Sequence, residues 1–422
     1  MKPIFRYFLL VFFSILTACG TFEVGIDCTP TPDVGATATL LALQDQNVQL
    51  VGRATQISSL LQSDATTMPK ESWAKTDVYG TINFWLSRSI PDPKNPSYQI
   101  DVGRIVRLPG LCVFSDAACP APEEVPVPFQ IYSSSWQPLV WSPEGDKAVL
   151  SVALGEDVAL MAVYLYQSYN ESWTKLANFP IVDSISWSPD GEWITMRIQD
   201  GLGHVDIYAM RPDGDGQRNL TGDNLPDKGE PSFLAMSGWL EEKALIATRG
   251  VFDELTTFHR VDPATGETKL LFTYPTYPGG VYPSPDNTLL AIGTASPQKQ
   301  ALEIISPDGK VEETLATFST GGIYLVAWSH SGEKIAFTVQ SEPYTIDDHR
   351  VFIINRDGTG LTEVYRGIII PALIFSPDDS YLLFTDQERS LVSISLETLA
   401  VQEIPVPRAV SGEYILYPSW QP

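Results

Sequence analysis

The chain has 422 residues, with 27 Lys or Arg against 51 Asp or Glu, a formal net charge of −24 at pH 7. Binding nucleic acid needs a basic surface that can displace counterions from phosphates, so charge excludes that class of partner. With 44% hydrophobic and 11% aromatic residues, the chain can bury an extensive core, and its length exceeds that of one small domain.

At the N-terminus, Lys2 and Arg6 precede an apolar stretch from Tyr7 to Leu16. It is too short for a stable membrane span but suits a secretory leader. The stretch ends in Leu16-Thr17-Ala18-Cys19-Gly20, which resembles a bacterial lipobox. The resemblance implies a signal peptide over residues 1–18, cleavage before Cys19, and lipid on the thiol and amino group of Cys19. Such multiple acylation exceeds what stable anchoring requires, and would hold the mature protein at a bacterial membrane outside the cytoplasm. Cleavage also removes Lys2 and Arg6, leaving 25 basic residues against 51 acidic ones.

Residues 19–39 are expected to form a flexible linker, since residues 29–39 are rich in Thr, Pro and Ala. In residues 40–64, Leu40, Leu43, Asn47, Leu50, Ala54, Ile57 and Leu61 follow a 3-4 spacing that lays one stripe along a helix. Two readings stay open. A short parallel coiled coil with Asn47 setting the register would make residues 40–61 a homodimer contact. A single amphipathic helix fits Gly52 and the scarcity of charged flanking residues better. Downstream, Cys112 and Cys119 bracket a short loop and are expected to form a disulfide in an oxidising compartment. Cys28 is left without an evident partner.

From residue 73 onward the pattern is β. Thr81 to Leu86, Tyr98 to Val102 and Val125 to Tyr132 read as strands, with Pro126 and Pro128 confining the last to an outer edge. A short phrase then recurs at intervals of 44 to 52 residues: Trp141-Ser142-Pro143-Glu144-Gly145, Trp187-Ser188-Pro189-Asp190-Gly191, a degenerate Trp239-Leu240, Pro283-Ser284-Pro285-Asp286-Asn287, Trp328-Ser329-His330-Ser331-Gly332, Phe375-Ser376-Pro377-Asp378-Asp379 and a truncated Trp420-Gln421-Pro422. Inner turns repeat at Pro212-Asp213-Gly214, Pro307-Asp308-Gly309 and Asn355-Arg356-Asp357-Gly358. A period in the forties is that of a four-stranded propeller blade, and Asp-Gly turns join hairpins because Gly accepts positive φ without steric cost.

These units resemble the blades of the TolB-type, WD-like propeller family across residues 73–422. The resemblance implies an all-β propeller and says little of activity, because propellers carry many unrelated functions. The terminal Tyr417 to Pro422 would supply the inner strand of a blade whose other strands are the three that precede the first phrase. Pairing them closes the ring at seven blades and removes an exposed edge. The alternative is six blades with residues 73–132 packed outside.

Nothing in the chain marks a catalytic centre. There is no G-x-S-x-G elbow, and His204, His259, His330 and His349 lack zinc-site spacing. Asp213 and Asp215 lack the spaced ligands of a calcium loop. No cofactor or metal is expected, and His330 reads as a substitute for the motif proline. Acid instead gathers in the connections between second and third strands: Glu156 and Asp157, Asp200, Asp253 and Glu254, Glu342 with Asp347 and Asp348, Asp386 and Glu388. These connections share one face of a propeller. The favoured reading is a non-enzymatic module that docks a protein, peptide or envelope polymer on this face. The alternative is a carbohydrate-active or hydrolytic propeller whose carboxylates come from separate blades.

Overall fold

The computed structural model describes residues 80–421, apart from 92–96, 98, 114–118, 130–137, 154–159, 200–204, 222–232, 241–243, 250–254, 277, 295–299, 341–348 and 409–411. All of them belong to the unit Ser63–Pro422. The leader with Cys19, the linker with Cys28 and the expected helix of residues 40–64 therefore lie outside the described residues. Among the described residues, no helix is long and apolar enough to cross a membrane.

The strands form seven separate four-stranded sheets, each an antiparallel meander. We number these blades from the first motif. Blade 1 begins with the inner strand Val140–Trp141, blade 2 with Ile181–Trp187, blade 3 with Phe233–Leu240, blade 4 with Pro278–Pro283, blade 5 with Gly322–Trp328 and blade 6 with Ile369–Phe375. Blade 7 is composite. Its inner strand is the C-terminal Tyr414–Gln421, paired antiparallel with Thr81–Pro91 from Thr81↔Gln421 to Ser87↔Tyr414, followed by Gln99–Pro109 and Glu123–Glu124. This is the expected closure, and the arrangement is seven blades, not six.

One strand differs from expectation. The outer strand of blade 7 is Glu123–Glu124, not Val125 to Tyr132. Val125 still donates its N–H to the Ile105 carbonyl (2.9 Å), but Pro126 has no N–H to extend the ladder. The segment turns to blade 1 instead, where Trp173 Nε1 donates to the Pro126 carbonyl at 2.8 Å.

The core lies between blades. Strands covered by a neighbour on both faces are buried along their length and mostly apolar, as in Ile335 to Val339, where the one polar side chain, Thr338, accepts the Leu325 N–H at 3.1 Å. Phe84, Leu86 and Val106 of blade 7 pack with Leu383, Leu391 and Ile404 of blade 6, and Val149 and Val163 of blade 1 pack with Trp187 and Met196 of blade 2. Truncating one such side chain, Phe84→Ala for example, costs about 3–5 kcal/mol because the sandwiching sheet limits collapse of the void.

The repeated phrase has a physical reason at each position. Its serine hydroxyl accepts the N–H five residues on in five blades, at 2.9–3.1 Å: Lys147 to Ser142, Trp193 to Ser188, Leu289 to Ser284, Lys334 to Ser329 and Tyr381 to Ser376. The same hydroxyl donates to the motif aspartate at Asp190, Asp286 and Asp378. The motif tryptophan reaches the preceding blade: Trp187 Nε1 to the Val140 carbonyl (2.9 Å), Trp239 Nε1 to Ser186 Oγ (3.0 Å) and Trp328 Nε1 to the Tyr282 carbonyl (3.1 Å). Blade 4 substitutes Pro283, which lies against Gly238. At φ 111°, Gly238 would place a Cβ 2.5 Å from the proline ring.

Candidate functional site

Antiparallel order sorts the connections onto two faces. Turns between first and second strands, and between third and fourth, share the motif face. The second-to-third connections and the crossovers between blades share the other.

On the motif face the aspartates serve the backbone. Asp190 Oδ1 takes the Ser188 hydroxyl (2.6 Å) and the Glu192 N–H (3.0 Å), and Asp357 Oδ1 takes the Thr359 N–H (3.0 Å) and hydroxyl (2.6 Å). His330 does more than replace a proline. Its backbone N–H (2.6 Å) and ring Nδ1 (3.1 Å) meet Asp379 Oδ1, while Asp379 Oδ2 takes the Ser331 N–H (2.7 Å). Asp379 holds the left-handed conformation, φ 58°, where the motif has glycine. That backbone cost is offset by a clasp between blades 5 and 6. Burial works to raise the Asp379 carboxyl, but the donors of Ser331 and His330 outweigh it and hold the group below the usual carboxylate range.

On the other face, Glu156, Asp157, Asp200, Asp253, Glu254, Glu342, Asp347 and Asp348 lie outside the described residues. Asp386 and Glu388 are described and differ from each other. Asp386 closes its hairpin, its Oδ1 taking the Ser390 N–H at 2.9 Å. Glu388 is exposed and lines a cleft of about 400 Å³ between blades 6 and 7.

That cleft has a buried floor of Leu391, Ile404 and Ile415, with Glu388, Glu403 and Arg408 exposed at its rim. The wall toward blade 7 is tied together by charge. Arg104 Nη2 contacts Glu413 Oε1 at 2.7 Å, with the Glu413 side chain only 5% exposed. Arg408 Nη1 donates to the Glu413 carbonyl at 2.7 Å. The Arg389 guanidinium lies 4.1 Å over the Tyr414 ring, and its carbonyl accepts the Ile415 N–H at 3.0 Å. Burial, then Asp101, push the Tyr414 hydroxyl up. Glu403, Arg104, Arg408 and Glu413 had no sequence signal: Arg104 and Glu413 are 309 positions apart and share no motif.

Of the histidines, His204 lies outside the described residues. His259 bonds Thr257 (2.9 Å) and titrates low through burial and the nearby Arg249. His349 is buried and accepts the Ile369 N–H on Nδ1 (3.3 Å). Among the described residues no three His, Cys, Asp or Glu side chains gather as a metal site. Cys112 and Cys119 are thiols in this structure, not the expected disulfide, with Cys119 Sγ 3.9 Å from the Cys112 carbonyl oxygen.

No protein-family model matches the sequence, and no curated protein matches it. Solved structures do. The chain is similar to TolB from Acinetobacter baumannii at 16% identity, with a TM-score of 0.48, covering 82% of this chain and 68% of that one. It is similar to an oligogalacturonate lyase in complex with manganese at 12% identity and a TM-score of 0.50, covering 76% and 85%. It is also similar to a prolyl endopeptidase at 11% identity and a TM-score of 0.51, covering 80% of this chain and 50% of that one, so it spans about half of that enzyme. The likeness to the lyase and the endopeptidase is one of fold. These two differ in chemistry, so the architecture does not carry a function by itself.

Proposed function

We propose that the protein is a lipid-anchored, extracytoplasmic propeller that binds a protein, peptide or envelope polymer without catalysing a reaction on it. The partner docks on the face of the second-to-third-strand connections. The observation that carries this is the cleft between blades 6 and 7, which opens on that face and is rimmed by Glu388. The motif face, by contrast, uses its aspartates to hold turns. The cleft's volume of about 400 Å³ falls in the range of ligand-binding clefts. The N-terminal pattern ending at Cys19 supports the anchored, extracytoplasmic setting, and the net charge of −24 supports a partner with basic character.

Two experiments test this. Replacing Asp253, Glu254, Asp347 and Asp348 with their amides should leave the melting temperature unchanged and slow association with a partner recovered by cross-linking from membranes. The difference should vanish in high salt, since the Debye length falls from about 10 Å at 0.1 M to about 3 Å at 1 M. Association equal to wild type at low ionic strength would overturn the proposed face. For the anchor, Cys19→Ser should abolish fatty-acid labelling and release the protein from membranes or leave it unprocessed; equal labelling of both forms would refute it.

A further inference from the structure

We infer a second binding site, separate from the docking face argued above: the cleft between blades 2 and 3 takes one carboxylate of a ligand on the Arg218 guanidinium. The cleft measures about 330 Å³, and its lining includes Gly216, Gln217, Arg218 and Asn219 of blade 2 with Thr265 and Gly266 of blade 3. Gly216 and Gln217 stand in the turn between Met210 and Arg218, and Thr265 and Gly266 in the turn between Val261 and Thr268, so the cleft lies on the motif side of the ring.

Three observations converge. First, the chain holds 51 acidic residues against 27 basic ones, yet no carboxylate lines this cleft. The aspartates of the flanking strands and turns are engaged with other donors. Asp206 takes the Asn219 Nδ2 group (2.9 Å) and the Thr221 hydroxyl (3.0 Å), and Asp262 takes the N–H groups of Ala264 (2.7 Å) and Thr265 (3.0 Å). Second, the Arg218 guanidinium has no ion-pair, hydrogen-bond or ring partner among the described residues, whereas Arg104, Arg107, Arg197 and Arg366 each pair with a carboxylate. Its Nε is shielded from solvent and lacks an acceptor, so its accessible donors are the two Nη groups at the tip. Third, the walls add donors, charge and room. Thr265 Oγ1 accepts the Glu267 N–H (3.2 Å), which leaves its own hydrogen to give. Arg211, its guanidinium 4.8 Å over the Trp193 ring, has its Cγ 3.8 Å from where a Cβ on Gly216 would stand. Nothing lies within 4 Å of the corresponding position on Gly266.

The tip of a guanidinium offers two parallel N–H groups, which match the two oxygens of a carboxylate. A neutral amide would accept from the same groups without the gain from charge. A phosphate dianion calls for more positive charge than this cleft holds, and it meets the field of a chain of net charge −24 more strongly than a monoanion does. An ammonium group would face Arg218 as a like charge.

The test is equilibrium binding of labelled, end-capped Gly-Gly-X-Gly-Gly peptides to the purified full chain, with X as glutamate, glutamine, phosphoserine or lysine. At low salt the glutamate peptide should bind about tenfold tighter than glutamine, with phosphoserine no tighter than glutamate and lysine weakest. Arg218→Gln should bring glutamate to the glutamine level with an unchanged melting temperature, and Arg218→Lys, which keeps the charge without the fork, should retain part of the preference. Arg366→Gln, in the outer strand of blade 5, should change nothing. Acetate in excess separates the two sources of a carboxylate: displacement of the glutamate peptide admits small free acids, and no displacement restricts the site to an acidic side chain within a peptide. Equal binding of the glutamate and glutamine peptides, tighter binding of phosphoserine than of glutamate, or an unaffected Arg218→Gln variant would overturn the inference.

Discussion

The two faces of the ring are built by different rules. On the motif face the repeated phrase solves one local problem, reversing a strand within a few residues, and in three blades it does so with the same serine-to-aspartate hydrogen bond. On the opposite face the second-to-third connections differ in length, from the four residues between Asp386 and Leu391 to the eight between Gln340 and His349. The described cleft there draws polar groups from separate stretches of chain. Recurring residues mark what the fold demands of each blade, and residues for recognition need not recur.

The largest expected effect tests whether ring closure underlies both faces. Deleting residues 414–422 removes the inner strand of blade 7 and exposes the edge of Thr81–Pro91, while uncovering Phe84 and Leu86. The truncated protein should lose cooperative unfolding or oligomerise, as read by circular dichroism and size-exclusion chromatography. A melting curve matching the full chain would show that the closing strand is dispensable.

Next come the residues of the motif face. Trp187→Phe removes the hydrogen bond to the Val140 carbonyl, and Ser188→Ala leaves the Trp193 N–H without its acceptor. Each should cost about 1–3 kcal/mol in chemical denaturation, the penalty of an orphaned buried group. No loss in either would mean that the motif is retained for another reason.

Asp379 gives a finer test. Asp379→Gly relieves the positive φ but removes the clasp on His330 and Ser331, and should still destabilise by about 1 kcal/mol. The sign with pH follows from the depressed carboxyl. Its contribution is complete above the ordinary carboxylate value of about 3.9 and is lost as pH falls through the lower folded-state value. Asp379→Asn should therefore show a shallower acid-side loss of stability than wild type in thermal melts from pH 5 to pH 2; parallel curves would exclude the clasp as a titrating element.

The smallest effect belongs to the other face. Glu388→Gln and Glu403→Gln should move stability by less than about 0.5 kcal/mol, because exposed charges without partners contribute little to folding. A larger loss in denaturant titration would make these residues structural and weaken the contrast between the faces.

Much of the fold was legible because a blade is a local unit repeated. The interval of the Trp-Ser-Pro-Asp-Gly phrase, and a terminal half-phrase matched by unassigned strands upstream, were enough to count seven blades and close them. The outer strand of blade 7 was misplaced because a two-residue strand carries no periodic signal, and the prolines that followed it looked like an edge. The role of His330 was underestimated because its partner, Asp379, lies in the next blade, 49 positions away, and a contact between blades leaves no local pattern. Glu388 was legible as a member of an acidic loop, but its neighbour Asp386, from the same stretch, is a hairpin residue.

By itself the sequence determined the periodic part of this protein: blade number, the pairing of its two ends, and the turn chemistry of the motif face. These rest on hydrogen bonds between residues two to five positions apart, and on strand patterns that repeat. Only the tertiary structure decided the cleft. Its floor comes from Leu391, Ile404 and Ile415, and its wall is held by Arg104 and Glu413, which ring closure brings to 2.7 Å across 309 positions of chain. Such a contact depends on two distant strands being placed side by side, and no local propensity encodes it.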